Sequence, residues 1–169
     1  MIFESMIFSR GRKKRAIKAQ AQKRYAEAAS EARRPVFYER YGVPDSFDGR
    51  FEMLCLQVFL ALRDIRDDKE LSQALFDEMF VHMDQTLRET GVGDLSMRKH
   101  MKRMMEGFHG RALAYEAGLL EGGLEAALER NVYGTAEKPA PEQVRSLAQY
   151  VRAAASEEEV TEKKEIRRA

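Results

Sequence analysis

Three histidines, one cysteine and one glycine-rich turn are the residues of this 169-residue chain whose type or spacing could do chemistry. His82, His100 and His109 have no metal-ligand spacing among themselves, although His82 stands near Glu78 and Asp84. Glu106 precedes His109 by three residues, which is the spacing of a Glu-x-x-His pair. A dinuclear carboxylate site in a helical bundle needs such a pair on each of two helices, and the chain has it once. A small metal-dependent hydrolase would rest on Glu106 and His109 alone. Cys55 is the single cysteine, which excludes an intramolecular disulfide and a cysteine-based zinc site and points to a reducing compartment. Gly91-Val92-Gly93-Asp94 has the glycines of a phosphate loop, but it follows a helical pattern and lacks a Gly-Lys-Ser/Thr sequel. It reads as an interhelical turn with glycine at the helix C-cap. The expectation is a chain with no catalytic residues, no metal and no cofactor.

Methionine carries more information. Met79, Met83, Met97, Met101, Met104 and Met105 fall within 27 residues, on two consecutive helical patterns. One reading is core filling by an adaptable thioether; the other is a deformable hydrophobic groove that receives a partner helix. Lys99, Lys102 and Arg103 edge the second of these patterns as its solvated face.

The net charge of +1 conceals a division. Residues 1–40 hold eleven Lys/Arg against four Asp/Glu, whereas residues 41–169 hold eighteen against twenty-four. Six bases, Arg10, Arg12, Lys13, Lys14, Arg15 and Lys18, crowd nine positions. Such asymmetry suggests an arm with an anionic partner, either a ribosome, RNA or a membrane face. Ile2, Phe3, Met6 and Ile7 lie at helical spacings just before the bases. That start is too short to span a bilayer but long enough to lie in its interface, a role that a ribosome surface would not give it. A solubilising tail is the remaining reading. Charges follow the apolar start instead of preceding it, which argues against a secretory signal, and Glu4, Glu27 and Glu31 argue against a mitochondrial presequence. No apolar run approaches the roughly 20 residues of a membrane span.

The elements that must position these groups are helical. Hydrophobic residues make up 44% of the chain and charged residues 34%, with only four Pro and eleven Gly, a balance that favours helices around one core. Residues 12–34 predict a mostly exposed helix that Pro35 stops, followed by a short aromatic segment at 36–38 and a turn at 42–45. Phe51, Leu54, Val58, Leu62 and Ile65 recur at spacings of three and four, widened by Met53, Leu56 and Phe59. Leu71, Leu75, Met79, Met83 and Leu87 form a second stripe, and Met97, Met101, Met104 or Met105, Phe108 and Tyr115 form a third. Asp94 or Ser96 suits the cap of that third helix. A short helix at 124–132 and a last one from Pro141, with Val144, Leu147, Ala148 and Val151 inward, complete the pattern. Beyond Ser156 the composition predicts fraying. The fold class is all-α: a basic arm over 1–34, one compact helical domain over 35–155 and a charged tail over 156–169.

These residues also carry a resemblance. Tyr41-Gly42-Val43-Pro44-Asp45, Phe47-Asp48-Gly49-Arg50-Phe51-Glu52 and the run from Arg88 through Gly91, Val92, Gly93 and Asp94 to Ser96 resemble the ubiquinol–cytochrome c chaperone family. Lys99, Lys102-Arg103-Met104, Phe108-His109-Gly110-Arg111 and Tyr115 extend it over roughly residues 36–155, with His109 where the family has an aromatic, often Tyr. The resemblance implies a non-enzymatic assembly factor for respiratory complex III (ubiquinol–cytochrome c reductase) that binds newly made cytochrome b. Mitochondrial members carry long targeting extensions and work with a small partner protein near the ribosomal exit. This shorter chain resembles a bacterial member, expected in the cytoplasm and peripheral on the inner face of the inner membrane, with a mitochondrial matrix face as the lesser alternative. Arg50, Arg88, the turn Gly91–Asp94, Lys99 and the methionines Met97, Met101, Met104 and Met105 are the candidate client surface. Ile2, Phe3, Ile7 and the six bases are the candidate membrane or ribosome contact. For Arg50 and Asp94, scaffolding through helix capping and an Arg–Asp ion pair stands equally beside client contact. The rival classes are a ribosome- or RNA-associated helical protein and the metal-dependent hydrolase.

Overall fold

A computed structural model describes residues 2–89, 94–134 and 138–166. Among them are seven helices and no strand: α1 (Ile2–Ala32), α2 (Pro35–Glu39), α3 (Phe47–Asp64), α4 (Lys69–Glu89), α5 (Asp94–Leu120), α6 (Leu124–Asn131) and α7 (Pro141–Ile166). Their ends follow local chemistry. Pro35 opens α2 after an extended Arg34, because proline has no N–H to lose in a first turn and its φ is already helical. Ser46 caps α3, its Oγ accepting the Gly49 N–H at 3.2 Å. Asp68 does the same for α4, accepting from the Leu71 N–H at 3.0 Å.

Helix α3 is the axis of the fold and packs against α1, α4, α5 and α7. Met53, Cys55, Leu56, Val58, Phe59 and Leu60 are buried, while Phe51, Leu54 and Leu62 are only partly so. The widening residues Met53, Leu56 and Phe59 are thus as deep as Val58 and Ile65 of the stripe itself, and Cys55 and Leu60 lie inside on a face that the spacing leaves out. A helix with neighbours on most sides buries more than one stripe of its surface. In α4 the periodicity holds as expected, with Leu71, Leu75, Met79 and Met83 all inside. In α5, Phe108 and Tyr115 are inside and Met104 packs partly buried against the core, but Met105 is 43% exposed.

Most residues of the 12–34 segment are exposed as expected, but helix α1 also has an inward face that its composition did not announce. Ala21, Tyr25, Ala28, Ala29 and Ala32 are buried, and α1 packs on both α3 and α4. Alanine adds little to a hydrophobic stripe, yet its small side chain lets two helix backbones approach closely. Along the segment carrying the six bases the side chains stay in solvent, with Ile17 half-buried. At the other terminus, Val144, Leu147, Ala148 and Val151 are buried as their spacing predicts. Helix α7 then continues to Ile166, past the point where fraying was expected, through residues that favour helix. No helix among the described residues is long and apolar enough to cross a membrane.

Candidate partner-binding surface

The first turn of α3 stands beside a groove of about 220 Å³. Phe47, Phe51, Leu54, Met83 and Met104 give it apolar walls, and Arg33, Tyr38 and Arg50 stand among the residues around it. Phe47 is 67% exposed, which leaves a large apolar side chain at the mouth.

The segment from Tyr41 to Gly49 builds this edge. Gly42 has φ +66°, a left-handed turn that glycine adopts without steric cost. Val43 is buried and its N–H donates to the Phe37 carbonyl at 3.0 Å. The Tyr133 hydroxyl donates to the Tyr41 carbonyl at 2.6 Å, tying the turn to the end of α6. A Cβ at Gly49 would collide with the Pro44 carbonyl, so the turn can lie against α3 only where that residue is glycine. Arg50 then reaches back, its Nε donating to Asp45 Oδ1 at 2.6 Å with its guanidinium 5.2 Å from the Tyr38 ring centre. The hydrogen bond to Asp45, and then its charge, raises the Arg50 pKa. Both side chains are more than half exposed. The ion pair open in the sequence is thus formed within the segment, to Asp45.

Two residues on, the environment inverts. Glu52 is 9% exposed and accepts both Nε and Nη2 of Arg111 from α5, a two-point clamp between helices. The Arg111 guanidinium also lies 5.8 Å from the Phe51 ring centre, and its pKa is raised, first by the Glu52 hydrogen bond. Tyr115 is fully buried and its hydroxyl has no hydrogen-bond partner among the described residues. Burial, and then the Glu52 charge, pushes the Tyr115 phenol and the Cys55 thiol upward. Cys55 is therefore a neutral core thiol and not a nucleophile. Arg63, itself buried, forms a second tie, to the partly exposed Glu116 at 3.0 Å and to the Ala155 carbonyl at 3.2 Å. None of Glu52, Arg63, Arg111 and Glu116 was singled out by sequence reasoning for these pairings. The available signal was two charged residues on a helix that is otherwise almost wholly apolar inside.

The structure brings Arg50 and Met104 to one groove. Arg88 is exposed and bonds Asp84 at 2.8 Å on its own helix, and Lys99 is exposed. Gly91, Val92 and Gly93 lie outside the described residues, as do the side chains of Asp94, Met97, Met101, Ile2, Phe3 and Ile7. Arg10, Arg12, Lys13, Lys14, Arg15 and Lys18 are exposed along α1. His82 stacks on Tyr25, with ring centroids 4.5 Å apart, and stands 3.4 Å from Glu78. Glu106 and His109 are exposed, and among the described residues no three His, Cys, Asp or Glu side chains gather as a metal site would require.

An all-helical body with an apolar groove and a charged edge has the architecture of a protein-binding module. Residues 39–169 match the family described as Ubiquinol-cytochrome C chaperone, and the chain belongs to that family. It is 29% identical over 142 residues to ubiquinol-cytochrome c reductase complex assembly factor 1 of Mus musculus, covering 80% of this chain and 48% of the relative. The Homo sapiens protein of the same name is 28% identical, covering 80% and 47%. The chain thus spans about half the length of these curated relatives. Among solved structures, the Cbp3 homolog from Brucella abortus superposes with a TM-score of 0.72 at 36% identity, over 90% of this chain and 84% of that one.

Proposed function

We propose that this chain is a non-enzymatic chaperone that holds newly made cytochrome b while ubiquinol–cytochrome c reductase is assembled. Membership of the chaperone family over residues 39–169 carries the reading. That span contains Phe47, Arg50, Phe51, Leu54, Met83 and Met104, the groove residues of the proposed client surface. Apolar side chains of a client helix seat against the phenylalanines, Met104 adapts to their shape, and Arg50 meets polar groups at the edge. Arg88, Lys99, the Gly91–Asp94 turn, Met97, Met101 and Met105 belong to the same proposed surface. A photocrosslinking residue in place of Met104, activated in membranes, tests this. Cytochrome b is the expected crosslinked product, and crosslinks confined to other proteins would reject it.

The proposed station is the inner face of the bacterial inner membrane. The apolar start and the bases between Arg10 and Lys18 supply two weak anchors that act together on an anionic leaflet. Full-length protein should float with phosphatidylglycerol vesicles, detach as salt rises and ignore neutral vesicles, whereas a chain beginning at Ala19 should stay in solution. That cut spares Ala21 and Tyr25, which belong to the core. Ribosome or RNA association is the second reading, favoured by the exposure of all six bases. Salt-resistant recovery of ribosomes with the full chain, and no flotation, would select it. A small partner protein is compatible with either station.

A further inference from the structure

A second, larger crevice, about 1480 Å³, runs between α1 and α4. Two contacts fix how its walls are related. Lys13 Nζ lies 2.8 Å from Glu70, and the Tyr25 ring stacks on His82. Both helices advance by the same twelve residues between these contacts, so α1 and α4 run parallel and in step. The α4 wall extends from Lys69 to Thr86, about 26 Å at the helical rise, which matches a partner helix of roughly 17 residues.

The walls differ in charge. Helix α1 presents Arg10, Lys14 and Lys18 at successive turns, and Arg33 further along. Among the described residues no carboxylate lies within ion-pairing distance of these four. Helix α4 presents Glu70, Asp77 and Glu78, where Glu70 is held by Lys13 and Glu78 stands beside His82. Ile17, Ala74 and Val81 supply apolar contact between the walls, and Val81 is 50% exposed. Arg12 and Arg15 do not line the crevice, so the helix divides the six-base cluster between two directions. A polyphosphate strand laid in this crevice would meet three carboxylates on α4. A polypeptide helix can carry a different charge on each edge and satisfy both walls.

We infer that the α1–α4 crevice docks one amphipathic helix of a protein partner, with its acidic edge along Arg10, Lys14 and Lys18. Its apolar stripe lies on Ile17, Ala74 and Val81, and its edge along α4 carries no carboxylates. The crevice shares Tyr25, Ala29, Arg33, His82 and Thr86 with the Arg50 groove at one end, whereas Arg10, Lys14, Lys18, Ile17, Ala74 and Val81 line the crevice alone, so the inference rests on residues that the client groove does not use.

The probe is a fluorescent helical peptide of about 17 residues with a leucine stripe, glutamates on one edge and glutamines on the other. Fluorescence anisotropy with the full-length protein should show saturable binding that weakens as salt rises. Lys14→Glu/Lys18→Glu should weaken it by about tenfold or more, and a peptide with lysines in place of the glutamates should prefer that variant to the native protein. Val81→Asp should weaken binding too, although it leaves the basic arm untouched, and circular dichroism should show both variants folded. Absence of saturable binding, equal binding of a scrambled peptide, or indifference to Val81→Asp would overturn the docking site. Displacement of the peptide by an equal concentration of polyuridine would overturn it in favour of nucleic acid.

Discussion

Arg50 and Glu52 are two residues apart on one helix, and each forms an ion pair, yet the pairs work in opposite regimes. Arg50–Asp45 is open to water, where the attraction is screened and offset by the entropy of holding two flexible side chains. Glu52–Arg111 lies inside, joins α3 to α5 and has two-point geometry. Once such a pair is buried, either partner left alone is an uncompensated charge in a poor solvent. The comparison separates residues that hold the molecule together from residues available to another molecule, although both stand in the first turns of α3.

Removing one member of the inner pair should have the largest effect. Glu52→Ala is expected to cost about 3–5 kcal/mol, read by urea denaturation, while Glu52→Leu combined with Arg111→Met should recover most of it. Recovery separates loss of the pair from loss of packing. Next comes Gly49→Ala, which forces the Pro44 turn away from α3 and should cost about 1–3 kcal/mol as overpacking does, while Arg50 keeps its charge.

Tyr115→Phe sharpens the interior side of the comparison. Its hydroxyl is buried without a partner, so removal should be neutral or stabilising by about 1 kcal/mol. Burial holds the Cys55 thiol and the Tyr115, Tyr133 and Tyr150 phenols above their ordinary values of 9.0 and 10.0. The unfolded chain therefore releases these protons first as pH rises. Their contribution to stability is complete below the unfolded values and declines above about pH 9. The decline should be shallower in Tyr115→Phe, and an equal slope in both proteins would remove Tyr115 from the account.

The smallest effect on stability belongs to Arg50→Ala. The melting temperature should stay nearly unchanged, and under the proposed function cytochrome b accumulation in a cell that depends on this protein should fall several-fold. A large fall in melting temperature would return Arg50 to the scaffold.

Legibility in the sequence followed the same division. Repeating apolar residues showed α4 and α7 clearly, because the residues at the repeating positions are the ones each helix buries. The phase of α3 was harder, since a central helix buries Met53, Cys55 and Leu60 on faces that a single stripe leaves out. The core role of α1 was hidden by alanines, whose contribution is closeness of approach more than burial of area. The pairing of Glu52 with Arg111 was beyond reach because the partners are 59 positions apart and no periodic signal links them. The groove itself was half legible: Arg50 and Met104 were named, but Phe47 and Phe51 were not assigned to a shared opening. Local chain chemistry announces helices, and only their assembly announces what they enclose.

Helix α1 runs unbroken from Ile2 to Ala32, and its second half is clamped by the body. The first half continues the same axis and is tied to α4 at Lys13–Glu70, so its azimuth is set from within the core. Whatever grips the bases around Lys14 holds the domain at a fixed bearing, with Ala21 about 10 Å further along the axis. Inserting one alanine after Lys18 would leave charge and composition essentially intact while swinging the outer half by about 100° relative to the clamped half. A tether that merely attracts would tolerate that rotation. A mount that aims the Phe47 opening would not, so assembly activity lost with binding retained would identify α1 as an aiming device.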